Sequence, residues 1–437
     1  MDTRNNIYQK AMVMVLMVLP LYLCTFLPLT ATAQKYVGGD ISMLPRFVEQ
    51  GAVYKDKDGN RVEPLAFCRQ EGWNTMRVRL FVDPSKASQA HQKQGAIQDL
   101  AYVIALSKDI KAAGLQLMLD FHYSDTWTDP GQHSTPSAWS TQDVSTLTST
   151  LYTYTRDCLQ QLVAAGATPD FIQPGNEITY GMLWPTGHIW PAGGGQDGGT
   201  WDNFVGYLKS GIRACREVCP KAQIVIQTEM SRSDNVTNFY NTMKPYNVDY
   251  DIIGISYYPD FHGSIATLNA TLSTLESQHA DKKIMIVETG YAIQWQLSGA
   301  KYNFSSTYPL TEEGQRKFTS ELIAMLNNHK NVNGLFWWYP DYTLYNIVFL
   351  DGKSDDWSKD FTDGYWNATL FNIQTGRAYA ALYELKNFAG DDTGIRTRHA
   401  TAATGNDAWY TLDGRRLNSK PATPGLYITG GRKVVVK

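Results

Sequence analysis

Charge of one sign is the first thing this sequence lacks. Its 437 residues carry 39 Lys+Arg against 42 Asp+Glu, a formal net charge of −3, so there is no bulk electrostatic pull toward nucleic acid or an anionic membrane. Charged residues make up 19% against 43% hydrophobic, which excludes a disordered polyelectrolyte and leaves a globular chain able to bury a large core. His-x-His and His-Glu-x-x-His patterns are absent. That weakens the metal-hydrolase reading that His122 and His133, both near the end of one predicted strand, would otherwise invite. No Gly-x-Gly-x-x-Gly follows the first predicted strand; Gly38-Gly39 leads into Asp40-Ile41-Ser42, which is no dinucleotide turn. Cysteine is scarce, with 5 residues, whereas aromatics are not: of 12 Trp, 26 Tyr and 16 Phe many must serve packing, but an excess of rings often lines sites for flat apolar ligand faces such as those of sugars.

Residues 1–33 read as a signal peptide. Arg4 and Lys10 form a positive start, residues 11–29 are mostly apolar, and Ala31-Thr32-Ala33 is a cleavage pattern. Pro20 and Pro28 interrupt the run and no stop-transfer cluster follows, which argues against a membrane span. Leu23 before Cys24 is too bulky for lipoprotein processing. The expected location is extracytoplasmic: secreted, periplasmic or at the cell surface. Cys68, Cys158, Cys215 and Cys219 remain in the mature chain; an oxidising compartment permits disulfides, but Cys215 and Cys219, four apart in a predicted helix, read as buried small side chains.

Short β-branched or apolar runs recur at 36–44, 74–81, 115–123, 171–177, 223–229, 250–258, 283–291 and 332–339. Helix-like stretches lie between most of them, at 95–113, 143–165, 201–218, 265–278 and 311–328, with a closing helix near 376–388. Eightfold strand and helix alternation is the pattern of an α/β fold of the (β/α)8 TIM-barrel type, with a doubly wound open sheet as the alternative. The catalytic barrel is expected over 34–390. Residues 391–437 read as a linker and a small β-rich C-terminal tail, punctuated by Asp413-Gly414, Pro424-Gly425 and Gly430-Gly431.

In a barrel, chemistry sits where strands end at the C-terminal face. Two carboxylates close otherwise apolar strands there, Glu177 beside Asn176 on the fourth and Glu288 on the seventh. Such a pair, about 5 to 5.5 Å apart, supports double-displacement glycoside hydrolysis, one group protonating the leaving oxygen and the other attacking the anomeric carbon. Arg77 and Arg79 share a face of the second strand; Arg79, nearer the mouth, is expected to hold a carboxylate ionised, with Arg77 in a structural ion pair lower down. His122, Asp125 and Trp127 follow the third strand as sugar contacts. One of Tyr257 and Tyr258 is expected to hydrogen-bond the nucleophile, and of Trp337 and Trp338 one should face the site, with Trp338 taken as the substrate contact.

Six ordered motifs carry a resemblance: Gly38-Gly39-Asp40-Ile41-Ser42, Met76-Arg77-Val78-Arg79-Leu80, the stretch from Asp120 to Gly131 containing His122, Asp125 and Trp127, Gln173-Pro174-Gly175-Asn176-Glu177, Gly254-Ile255-Ser256-Tyr257-Tyr258-Pro259 and Val287-Glu288-Thr289-Gly290. Together they resemble glycoside hydrolase family 53, the arabinogalactan endo-β-1,4-galactanases, over residues 36–388. The resemblance implies a barrel of the large retaining clan, Glu177 as acid/base, Glu288 as nucleophile, and unbranched β-1,4-galactan as substrate. The eighth strand departs from the family's Tyr-Trp-Glu-Pro, reading Trp337-Trp338-Tyr339-Pro340. Residues 294–308 hold no acidic residue, so the structural calcium of some members is not expected there; Asp351, Asp355 and Asp356 read as a solvated turn. No cofactor is required, no nucleic-acid partner is expected, and the protein is expected to be a monomer. The alternatives are a retaining endo-glycanase of other specificity, a mannanase or glucanase, and a sugar-binding barrel without catalysis.

Overall fold

The computed structural model describes residues 34–230, 232–343 and 365–389, together with 409–411, 416–417, 421, 423, 425–429 and 432–436. The signal peptide expected at 1–33 and the turn with Asp351, Asp355 and Asp356 lie outside the described residues. Eight parallel strands close into a barrel in chain order: β1 (Tyr36–Asp40), β2 (Thr75–Leu80), β3 (Gln116–Phe121), β4 (Phe171–Pro174), β5 (Gln223–Glu229), β6 (Ile252–Tyr257), β7 (Lys283–Thr289) and β8 (Val332–Trp338). β8 pairs back onto β1, with Gly38 opposite Phe336. The fold is the (β/α)8 barrel expected from the alternation.

Each strand is followed by a helix: α1 (Pro64–Gln70), α2 (Leu100–Ala112), α3 (Val144–Ala164), α4 (Trp201–Val218), α5 (Ser233–Met243), α6 (Ile265–Gln278), α7 (Glu312–Leu326) and α8 (Ala380–Glu384). Their starts are written in the sequence, since Asp99, Asp143, Thr200, Ser264 and Thr311 each accept a backbone N–H of the first turn. The expected closing helix is two short ones, α8 and a turn at Lys386–Ala389. Among the described residues Cys68, Cys158, Cys215 and Cys219 are free and buried, as expected of the last two. The residues from Asp391 onward form a second compact unit, an antiparallel sheet of Trp409–Tyr410, Arg416–Leu417, Gly425–Thr429 and Arg432–Val436.

Strand pleating sorts the barrel interior into two levels. Tyr36, Met118, Phe171, Val225, Ile252, Met285 and Phe336, one from each of seven strands, pack with Val287 as a separate apolar cluster. Two residues further along the same pleats stand Gly38, Asp120, Gln173, Gln227 and Gly254, then Asp40, Glu229 and Ser256. The apolar plug closes the lower barrel and the polar layer above it is the floor of the mouth. Gly38 is required where β1 presses on β2, because a Cβ there would lie 1.6 Å from the Thr75 carbonyl oxygen.

Candidate active site

Glu177 leaves β4 through Gly175 at φ 113° and itself adopts a left-handed backbone, φ 47° and ψ 47°. A non-glycine residue in that region is strained, and such strain persists only where the surroundings impose it. Here two groups do so. The Glu177 N–H donates to Gln227 Oε1 at 3.1 Å, and its carbonyl accepts from His133 Nε2 at 3.2 Å. Burial lowers the His133 pKa to about 3, so the ring stays neutral and donates.

Glu288, near the end of β7, is held from three sides. Arg77 Nη2 lies 2.9 Å from its Oε1, Gln227 Nε2 donates to the same oxygen at 2.9 Å, and the Tyr258 hydroxyl donates to Oε2 at 2.9 Å. Gln227 therefore ties the backbone of one carboxylate residue to the side chain of the other. Its orientation is set by Ser256, whose Oγ also accepts from Nε2 at 2.9 Å.

Arg77, not Arg79, is the cation at this pair. Arg77 is fully buried and bridges Asp40 at 3.0 Å, Asp120 at 2.8 Å and Glu288, while Nη2 donates to Asn176 Oδ1 at 2.8 Å. Arg79, one pleat nearer the mouth, donates to the Tyr339 hydroxyl at 2.8 Å, and its guanidinium lies 5.0 Å from both the Trp338 and Tyr339 rings. Arg77 thus makes the structural ion pairs expected of it, with Asp40 and Asp120, and also takes the place at Glu288 expected of Arg79, because the carboxylates sit at the deeper level. Burial opposes the Arg77 charge, but Asp120, Glu288 and Asp40 outweigh it and raise its pKa.

The remaining expected residues fall into three groups. Asn176 and His122 belong to the same network: Asn176 Nδ2 donates to the Thr128 carbonyl at 2.6 Å, and His122 takes the Thr128 N–H on Nδ1 at 2.8 Å while Nε2 lies 3.1 Å from Asp120. Tyr258 and Trp338 face the site, the latter 5.6 Å from Arg77; Trp337 points outward, its Nε1 donating to Ala368. Tyr257 and Asp125 do not join it. The Tyr257 hydroxyl donates to the Gly263 carbonyl at 2.9 Å beneath the surface, and Asp125 Oδ2 accepts from Ser137 N and Oγ at 2.8 and 2.6 Å, pinning the loop after β3. Trp127, in that loop, packs on His91 with centroids 4.2 Å apart. Gln227, Asp40 and Asp120 were not singled out from the sequence as site residues. The available signal was a polar side chain on the inward pleat of an otherwise apolar strand.

The two carboxyls differ in environment. Burial, then the Glu288 charge, push the Glu177 pKa well above the usual carboxylate range, with Glu229 and Asp129 adding to the rise and Ser256 opposing it. Burial also raises Glu288, but Arg77, Gln227 and Tyr258 pull against it. The Glu288 pKa is raised as well, but less than that of Glu177, so of the two Glu177 holds its proton the more firmly. Among the described residues no cluster of three or more His, Cys, Asp or Glu is arranged to hold a metal ion.

The sequence model of Glycosyl hydrolase family 53 matches residues 36–385. The chain belongs to that family. It is a glycoside hydrolase. An arabinogalactan endo-beta-1,4-galactanase of Thermothelomyces thermophilus is 33% identical over 363 residues, covering 80% of this chain and 98% of the relative. The arabinogalactan endo-beta-1,4-galactanase A of Aspergillus niger is 32% identical over 337 residues, 74% of this chain and 90% of that one. The family 53 catalytic domain of Ignisphaera aggregans superposes with a TM-score of 0.69 at 30% identity, over 83% of this chain and 98% of the other. No helix among the described residues is long and apolar enough to cross a membrane.

Proposed function

We propose that this family 53 hydrolase is a secreted, retaining endo-β-1,4-galactanase that cuts internal bonds of pectic galactan by double displacement, with Glu177 as acid/base and Glu288 as nucleophile. The observation that carries the chemistry is the asymmetry of the pair. Glu288 keeps an arginine and two hydrogen-bond donors, whereas Glu177 is buried beside other carboxylates. Galactan as substrate rests on likeness to the two fungal galactanases.

Glu288 attacks the anomeric carbon while the Glu177 proton passes to the glycosidic oxygen, giving a glycosyl ester on Glu288 and a released sugar chain. Esterification removes the Glu288 charge, which had favoured the protonated form of Glu177. Glu177, now ionised, takes a proton from water, whose oxygen attacks the anomeric carbon and breaks its bond to Glu288, freeing that carboxylate and giving a sugar with the starting anomeric configuration. Activation of the leaving oxygen by a proton requires no Lewis acid. Trp127, Tyr258 and Trp338 come from three different strand ends, an arrangement suited to an open groove along a polymer and hence to endo action. The protein acts as a monomer outside the cytoplasm.

Digestion of debranched galactan, mannan and β-glucan tests the reading. Galactan should lose viscosity quickly relative to reducing ends released and give a ladder of galacto-oligosaccharides. Turnover of mannan or glucan instead, or galactose alone from the outset, would overturn the assigned specificity.

A further inference from the structure

The segments that follow β1 and β2 flank an open cavity of about 450 Å³ that takes no part in the chemistry above. Its size falls within the range of sites that hold a small ligand, about 300 to 1,000 Å³. Met43, which is buried, and Ile97, which is half-buried, form an apolar floor. That floor is fixed from below: Gln98, fully buried, donates through Nε2 to the Ser42 carbonyl at 3.2 Å and to Met43 Sδ at 3.0 Å. Gly95, at φ 105°, leaves room for the sulphur, since a Cβ there would lie 2.9 Å from it.

Polar groups stand around this floor. Gln92 Nε2 donates to the Ser85 and Ala87 carbonyls at 3.1 and 2.9 Å, which holds the amide and leaves Oε1 to accept. Arg46 Nη1 pairs with Glu49 at 2.7 Å, so its charge is matched. Gln89 and Lys93 are exposed at the two ends of the short helix Gln89–Lys93. The cavity adjoins the mouth on two sides. On one, Tyr339 and Ile97 pack against the cluster of Met43, Phe47, Tyr342 and Ile373, and the Tyr339 and Trp338 ring centroids are 5.2 Å apart. On the other, His91 of the same short helix packs on Trp127 and places Nδ1 3.0 Å from Thr126 Oγ1.

We propose that this cavity is a further subsite for the substrate chain, on the glycone side, which takes a galactosyl residue beyond the one at Trp338. The proposal rests on the reading of the protein as an endo-acting galactanase. Glu177 on β4 gives its proton to the leaving oxygen, so the released chain lies toward β4. The chain retained on Glu288 then runs the other way, toward β8, which stands opposite β4 in the ring of eight strands, and toward β1 beside it. Met43 follows β1 and Tyr339 follows β8, so the cavity lies in the path of that chain. A galactosyl ring offers one face of C–H groups and a rim of hydroxyls. The apolar floor suits the face, and the Gln92 oxygen, Gln89 amide and Lys93 ammonium suit the rim.

The test is kcat/KM on reducing-end-labelled β-1,4-galacto-oligosaccharides from trimer to heptamer, with the bond cleavage pattern read by mass spectrometry. One variant trims the rim, Gln89→Ala with Lys93→Ala, and a second trims the floor, Ile97→Ala, so that poor folding of one leaves the other. Each should lose about three- to tenfold on the longest chains and nothing on the trimer, and the preferred cleavage site should move toward the non-reducing end, because fewer glycone residues are gripped. An equal loss at every length, or the wild-type length profile kept in both variants, would overturn the proposal. Wild-type cleavage of manno-oligosaccharides in place of the galacto-series would refute the galactanase reading instead, and the same length comparison on that series would then decide whether the cavity is a subsite.

Discussion

Removing one hydroxyl from the site gives a quantitative test. In Tyr258→Phe the ring and its packing are kept, and the donor that reaches Glu288 Oε2 at 2.9 Å is lost. Oε1 keeps Arg77 and Gln227, so Glu288 still has its counter-charge. A hydrogen bond to a charged group in a buried site contributes about 1.5 to 3 kcal/mol. The hydroxyl favours the ionised form of Glu288, and each unit of pKa corresponds to about 1.4 kcal/mol. The acidic limb of kcat/KM should therefore move up by about one to two pH units, the smaller figure applying if the protonated carboxyl also used the bond. The assay is initial-rate hydrolysis of galactan from acid to alkaline pH. The melting temperature supplies an independent sign. Raising the native pKa of Glu288 further costs stability only where Glu288 is ionised, so the variant should melt below wild type at alkaline pH and converge with it in acid. An acidic limb left in place, with kcat lowered equally at all pH, would refute the view that Tyr258 holds the Glu288 charge.

Other expectations follow from the same geometry. Glu288→Ala should abolish turnover, and added azide should partly restore it on an activated galactoside with an inverted product, read by NMR, because the small anion enters the vacated space. Glu177→Gln should cripple hydrolysis of galactan far more than of aryl galactosides with acidic leaving groups, which need little protonation. The raised native pKa of Glu177 means that its stabilising contribution is complete below the unfolded pKa and lost as pH rises through the native one. Glu177→Gln should then melt above wild type in alkali, by about 1 to 2 °C per kcal/mol relieved in a barrel of this size, and match it in acid; calorimetry across pH checks this. Chelator should leave galactan cleavage unchanged, since the chemistry uses a proton rather than a Lewis acid.

The barrel was legible because its strands are short apolar runs of the right number and its helices open on Asp, Ser or Thr caps. Helices α1 and α5 lie outside the stretches that read as helical; in α5, Asn235, Asn238 and Asn241 are poor helix formers, and Arg232 before it makes no side-chain cap. Glu177 and Glu288 stood out as carboxylates closing apolar strands. Depth within the barrel was not readable, because Arg77 and Arg79 share a pleat and only the stagger of neighbouring strands decides which meets Glu288. The same holds for Tyr257 and Tyr258, which follow one another at the end of β6 and part company only in the folded chain, one hydroxyl donating to Gly263 and the other to Glu288. Gln227 carries no charge and forms no motif by itself, so its role as the link between the two carboxylate residues emerges only from its partners in three strands or strand ends.

The central claim, a covalent double displacement on Glu288 assisted by Glu177, is tested most directly by trapping. Incubation with an activated 2-fluoro-galactobioside, followed by protease digestion and mass spectrometry, should show one glycosyl adduct, on the peptide that carries Glu288. An adduct on Glu177, or turnover of the reagent with no modified peptide at any time, would contradict the account.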